Sequence, residues 1–212
     1  MVIPATSEFI QIVNIGAHWV CISTLGCQAG IVRVFDSLYS KPSSVAIDHA
    51  CRMLHHPQNT VTFLNKRVQK QVGSSDCALF ALVFATDLCY GLYPTSQRHS
   101  QKEMRQHFVT CLESGAIVPF PKTDKRAPFH LGCNSISVPI FCLCRLPKDR
   151  QEYVECFSCH SLYHPHCVSI PEWVIKSRLQ WNCQKCRNTM AKMGSKNILA
   201  GAIMRTNKWH FF

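Results

Sequence analysis

The 212-residue chain lacks any apolar run of membrane-spanning length: its longest apolar-rich stretches, 77–85 and 198–204, fall far short of the roughly 20 residues a spanning helix requires. Residues 1–20 also lack the basic-then-apolar layout of a secretory signal. The expectation is a soluble, intracellular protein with no membrane partner. Acidic residues are scarce too, 12 Asp and Glu against 23 Lys and Arg, and 185–212 carries Lys185, Arg187, Lys192, Lys196, Arg205 and Lys208 without one acid. The net charge of +11 would suit nucleic acid, an acidic protein surface or a basic tail. No basic stripe interleaved with aromatics is present, nor any helix-turn-helix or RNA-binding signature, which argues against specific nucleic-acid binding. No internal repeat is visible.

What the chain has in excess is cysteine, 14 residues, against a hydrophobic content of 47% that suffices for a core. Without a secretory signal, thiolate chemistry and metal binding are better readings of those cysteines than disulfides. Cysteines 142, 144, 156, 159, 167, 183 and 186 form a patterned cluster, whereas 21, 27, 51, 77, 89, 111 and 133 are scattered. The two halves use cysteine differently and are expected to be different domains. Cys21, Cys27, Cys51, Cys89 and Cys111 read as small core residues.

Along the chain, 9–25 and 31–38 are rich in Val, Ile and Phe and flank the turn GCQAG, so they read as two adjacent strands, a hairpin. Residues 43–56 read as a helix capped by Ser43 or Ser44, TVTFLNKRVQ as a further strand, and 77–90 as a largely buried helix. SQKEMRQHFVTCLESG starts with Ser100 and Glu103 at capping-box spacing and sets Met104, Phe108, Cys111 and Leu112 on one face before Gly115 stops the helix. From 116 to 139 come four prolines and the charge cluster KTDKR, which is linker composition.

A cysteine nucleophile needs a base, a group that orients the base, and donors for the oxyanion that forms at the attacked carbonyl. His18 precedes Trp19 on the first predicted strand, and Asp36 ends the second, where neighbouring strands can join an imidazole to a carboxylate. Gln71 stands six residues before Cys77 and offers a side-chain amide; Cys77 opens the buried helix, where the dipole and free N–H groups favour an ionised sulfur. Taken singly, each of these residues is more often structural than catalytic. Their joint order, His-Trp, then Asp in VFDS, then Gln-x5-Cys with Asp before the Cys, resembles the cysteine proteases specific for ubiquitin-like proteins, the SUMO-protease clan. More narrowly, QVGSSDCALFALVFATDLCYG followed by MRQHFVTCLESGAIVPFP looks like the protease-like domains of transposon-derived proteins, over about residues 8–121. The resemblance implies His18 as general base, Asp36 as its orienter, Gln71 as oxyanion donor and Cys77 as nucleophile. Ala78 stands where that family usually has Gly, and only 17 residues precede His18, so the resemblance also implies a domain incomplete at its N-terminus.

Residues 142–186 give Cys142-x-Cys144, Cys156-x2-Cys159, His164-x2-Cys167 and Cys183-x2-Cys186: eight ligands in four pairs, enough for two tetrahedral Zn2+ ions. Spacing alone does not say which pairs share an ion. The pattern, with Trp181 two residues before the last pair, resembles a PHD finger, whose interleaved arrangement implies one site from Cys142, Cys144, His164 and Cys167 and another from Cys156, Cys159, Cys183 and Cys186. His160 and His166 match no family position and read as surface residues. Many such fingers bind the histone H3 tail, some through an aromatic cage for trimethyl-lysine. Phe141 and Tyr153 could supply walls here, but Leu162 stands where cage-bearing members have Trp, and Phe157 replaces an acidic residue common between the third and fourth cysteines.

The combined expectation is an α+β chain: a partial cysteine-protease-like domain at 1–121, a linker at 122–139, a PHD-type finger with two Zn2+ at 140–190 and a basic tail at 191–212. Its expected function is hydrolysis of the C-terminal peptide or isopeptide bond of a ubiquitin-like protein. The alternative is a catalytically inactive zinc-finger interaction protein binding a histone tail or other chromatin protein. Either reading places it in the nucleus.

Overall fold

The computed structural model describes residues 3–4, 8–55, 59–123, 132–147, 152–176 and 180–192. It divides into two compact units, Met1–Ile140 with Arg145–Pro147, and Phe141–Cys144 with Lys148–Phe212. Nearly all of the expected basic tail, 193–212, including KWHFF, lies outside the described residues.

The first unit is a mixed α+β fold around one sheet. Its strands are β2 (Ile10–Asn14), β3 (Trp19–Ser23), β4 (Ile31–Phe35), β6 (Thr60–Lys66), β7 (Cys133–Phe141) and β8 (Leu146–Pro147), in the order β2-β3-β4-β6-β7-β8. A short parallel pair, β1 (Ile3–Pro4) with β5 (Leu54–His55), lies apart from that sheet. The region expected to be one strand, 9–25, is two: Gly16, at φ 102°, adopts a backbone open to glycine and turns β2 back onto β3. β3 and β4 pair antiparallel, whereas β4 and β6 pair parallel from Ile31↔Thr62 to Phe35↔Lys66, which requires a crossover. That crossover contains α1 (Ser44–Met53), whose N-cap Ser43 accepts from the Ala46 N–H at 3.1 Å.

Because side chains alternate along a strand, β3 and β4 supply both faces of the sheet. Val20, Ile22, Val32 and Val34 pack with Ala46, Ala50 and Cys51 of α1 and with Val61 and Phe63 of β6. On the other face, Cys21 and Phe35 pack with Phe80, Phe84 and Leu88 of α2 (Cys77–Cys89), with Met104 of α3 (Gln101–Ser114) and with Phe120. A helix apolar on every side must be covered on every side, and α2 is buried along nearly its whole length.

Several expectations need correction. Ser100 is the N-cap of α3 but makes no side-chain cap bond; the capping box is absent, and the Glu103 N–H bonds the Ser100 carbonyl instead. Leu112 is 61% exposed, so the buried face of α3 is Met104 and Cys111 with Phe108 half-buried. Cys89 is exposed and Cys27 half-buried, while Cys21, Cys51 and Cys111 are core residues. Residues 133–139, expected within a linker, are strand: β7 pairs with β6 from Thr60↔Pro139 to Lys66↔Cys133. β7 is exposed at most positions, and that polar, Ser-containing composition is what made it resemble linker.

The second unit has little regular structure. β9 (Val154–Glu155) and β10 (Leu162–Tyr163) form a two-residue antiparallel ladder; α4 (Glu172–Lys176) and a helix over 184–192 follow. Among the described residues of this unit the fully buried side chains are Cys156, His164 and Cys183. No helix among the described residues is long and apolar enough to cross a membrane.

Candidate metal centres and thiol site

The second unit gathers two donor sets, Cys142, Cys144, His164 and Cys167 in one and Cys156, Cys159, Cys183 and Cys186 in the other, with all ligand atoms of a set within 4.8 Å of one another. The chain reaches these positions through tight turns. Cys142 (φ 62°), Arg145 (φ 59°) and His160 (φ 56°) take the left-handed backbone that non-glycine residues rarely adopt, a strain of about 1–2 kcal/mol each that bends the knuckles around their ligands. The pairs interleave along the sequence, first with third and second with fourth, so the chain between the two halves of the first set carries half of the second.

The donor sets fit zinc. A tetrahedral ion with Zn–S near 2.3 Å sets neighbouring sulfurs about 3.8 Å apart; Cys159 Sγ and Cys183 Sγ are 3.9 Å apart. His164 Nδ1 lies 3.4 Å from Cys144 Sγ and 4.0 Å from Cys167 Sγ, which suits a mixed N/S tetrahedron. Two Zn2+ ions, one per set, satisfy four ligands each.

Charge makes the same point. Burial raises the Cys156 thiol, but N–H groups, first that of Cys183 at 3.3 Å, outweigh it and bring the pKa down to about 6. Cys142 falls to about 7 in the same way, against burial, with backbone N–H groups of Cys144 and His164 donating to it. Their neighbours move oppositely: Cys167 is pushed up to about 12 by burial and then by Cys142, and Cys186 to about 12 by its hydrogen bond with Cys183 and then by burial. Crowded sulfurs cannot all ionise alone, and a dication removes that conflict.

Around the second set, Trp181 holds the loop: its carbonyl accepts from Phe157 N–H at 2.8 Å, and its ring meets Tyr163 edge-on at 5.5 Å. Asn182 Oδ1 accepts from the Ser158 N–H at 3.1 Å and Ser158 Oγ at 2.6 Å. His160 is exposed and paired with Glu155, and His166 is exposed beside the His164 ring. Phe141 and Tyr153 meet edge-on at 6.4 Å, and Tyr153 lies 4.6 Å from His164.

In the first unit, the antiparallel register of β3 and β4 brings His18, just before β3, beside Asp36, just after β4. His18 Nε2 and Asp36 Oδ1 are 2.8 Å apart, both residues buried. Asp36 Oδ1 also accepts from the Leu38 and Tyr39 N–H groups at 2.7 and 2.9 Å. The Tyr39 ring stands edge-on to His18 at 5.2 Å. The other ring nitrogen, Nδ1, is buried without a hydrogen-bond partner among the described residues. Gln71 is joined to the residue after Asp36, since Ser37 Oγ donates to Gln71 Oε1 at 2.6 Å.

Cys77 is the first residue of α2 and only 6% exposed, and among the described residues its sulfur makes no hydrogen bond to the other three. The structure thus pairs His18 with Asp36 and ties Gln71 to Ser37, the next residue, while no hydrogen bond among the described residues joins Cys77 to any of them. Sequence reasoning missed two members of this surround, Ser37 and Lys70. Lys70 Nζ donates to the Asp36 and Tyr39 carbonyls at 3.0 and 2.9 Å, and burial, partly countered by Asp36, lowers its pKa. By contrast, burial pushes up the thiols of Cys21 and, to about 12, Cys51, which suits inert core residues.

Comparison with known proteins finds partial similarity. The chain is 33% identical to lysine-specific demethylase phf2 of Danio rerio over 57 residues, 26% of this chain and 5% of that protein. It is 37% identical to histone lysine demethylase PHF8 of Danio rerio over 54 residues, 25% of this chain and 5% of that protein. Over 48 residues, 23% of this chain and 11% of the relative, it is 35% identical to the Set1 complex component spp1 of Schizosaccharomyces pombe. The chain therefore spans only a small part of each relative. No family model matches, and no solved structure matches. The partial relatives and the two donor sets support a PHD-type zinc finger; they lend no support to a protease, hydrolase or transposon-derived origin for the first unit.

Proposed function

We propose that the protein is a nuclear interaction protein whose two-zinc PHD-type finger binds a peptide segment of a chromatin protein, with the histone H3 tail as the first ligand to test. The observation that carries this reading is the pair of interleaved donor sets, found in a chain whose relatives are named as a histone lysine demethylase and a Set1 complex component. Leu162, half-buried, gives no aromatic wall where a methyl-lysine cage needs one, so Phe141 and Tyr153 alone make an incomplete enclosure. Binding is therefore expected to be insensitive to lysine methylation. Fluorescence anisotropy with unmodified and trimethylated H3 tail peptides tests it: similar affinities that vanish on chelation support the reading. Absence of binding to either peptide, or a strong preference for the methylated one, contradicts it.

A second reading, for the first unit, is favoured by the buried His18–Asp36 pair with its unpartnered Nδ1 and by the braced Gln71 amide. In it, Cys77 attacks the carbonyl that ends the tail of a ubiquitin-like protein, and His18 takes the thiol proton and later returns it to the leaving amine. Asp36 holds the imidazole, and Gln71 donates to the oxyanion. A thiol-reactive ubiquitin-like probe distinguishes the cases: an adduct at Cys77 that is lost in His18→Ala supports an enzyme, and no labelling leaves the unit as a scaffold.

A further inference from the structure

The turn after β4 sends two consecutive side chains to different partners. Asp36 faces His18, while Ser37, 1% exposed, faces Gln71, 8% exposed. The backbone ties the same two segments, with the Gln71 N–H donating to the Ser37 carbonyl at 3.1 Å, and Lys70 laces them again through the Asp36 and Tyr39 carbonyls.

The orientation of the Gln71 amide follows from its neighbours. Its Nε2 donates to the Gly73 carbonyl at 2.9 Å. A flipped amide would set two acceptor oxygens against each other there, because a carbonyl cannot donate. Oε1 must therefore face Ser37, and the Ser37 hydroxyl must be the donor. Gly73 holds φ 78°, a left-handed conformation that glycine adopts without strain. One N–H of Nε2 is used by Gly73, and none of the hydrogen bonds made by described residues uses the other.

We propose that Ser37 is a positioning residue: by donating to Gln71 Oε1 it locks the amide so that the second Nε2–H stays available to an oxyanion formed when Cys77 adds to a carbonyl. The proposal rests on the thiol-enzyme reading of the first unit. In the addition, the sulfur electron pair forms the C–S bond, the C=O π pair moves onto oxygen, and the thiol proton resides on His18. One dipeptide, Asp36–Ser37, would then align both the base and the oxyanion donor.

Two thiol reagents separate this role from a merely structural one. Iodoacetamide needs an ionised sulfur but forms no oxyanion; a peptide aldehyde ending in Gly-Gly forms a hemithioacetal, whose oxygen draws on Gln71. In the full zinc-loaded chain, Ser37→Ala should leave Cys77 alkylation at pH 6 within about twofold while weakening aldehyde binding about tenfold, below the roughly 100-fold or more expected for loss of an oxyanion donor outright. Gln71→Ala should lose more, and Ser37→Ala added to it should change nothing further. Should Ser37→Ala not fold by circular dichroism, Ser37→Thr should keep aldehyde affinity and Ser37→Val, similar in shape but without the hydroxyl, should lose it. Unchanged aldehyde binding in the hydroxyl-free variants, with wild-type binding intact, overturns the role of Ser37 alone. Wild-type Cys77 that alkylates no faster than a free thiol, or that takes no aldehyde, overturns the thiol-enzyme reading and this inference with it.

Discussion

The two units bury different things. In the first, the fully buried large side chains include Phe35, Phe63, Phe80, Phe84, Ile22 and a set of valines, so removing apolar surface from water carries the fold. In the second, the fully buried described side chains are Cys156, His164 and Cys183, all candidate metal ligands. Trp173, Phe157, Leu143 and Met190 there are exposed. With so few apolar groups buried among its described residues, metal binding must supply what burial there does not. One chain thus contains a unit that should fold without metal and one that should not.

The largest effect that can break this contrast is loss of a ligand. Cys156→Ser should unfold the second unit, because structural zinc supplies on the order of 10–16 kcal/mol in small fingers. Zinc content by native mass spectrometry should fall below two per chain while the helical circular-dichroism signal of the first unit persists. The converse substitution, Phe80→Ala, removes a ring packed against Phe84 and should cost the first unit about 3–5 kcal/mol in chemical denaturation, with zinc content still at two per chain.

A smaller but specific effect concerns the second buried imidazole–carboxylate pair of the first unit. His99 Nε2 and Asp87 Oδ2 are 2.9 Å apart with both side chains 1% exposed, so Asp87→Ala leaves a buried ring nitrogen without its partner and should cost about 2 kcal/mol in the same denaturation experiment. Smallest, Gly115→Ala forces a side chain into the left-handed C-cap of α3 at φ 70° and should cost about 1 kcal/mol, read as a modest fall in the first unit's thermal midpoint.

The contrast also explains what could be read from the amino-acid order. Zinc ligands are legible because a metal imposes residue type and short spacing at once, and Cys183-x2-Cys186 needs no knowledge of the rest of the fold. Helices α1 and α2 were legible from apolar content and from Ser43, which caps α1. The break between β2 and β3 was not, since Val, Ile and Trp continue on both sides of a short turn marked by Asn14, whose Oδ1 accepts from the Gly16 N–H, and by Gly16. β7 reads as linker because its partner β6 lies some 70 residues away and Pro139 and the prolines before it mask the alternation of Ile136, Val138 and Ile140, the positions that turn out less exposed. In the candidate thiol site, His18, Asp36 and Gln71 were visible as chemistry-bearing types. Ser37 and Lys70 were not, since their significance lies only in the carbonyl and amide oxygens they reach.

The most direct test is amide hydrogen exchange of the full chain, resolved by segment, before and after zinc removal with a chelator. The account predicts that amides across 152–192 lose protection while those of β3, β4 and α2 keep theirs, and that restoring zinc restores the pattern. Simultaneous loss of protection in both regions, or none in 152–192, would contradict it.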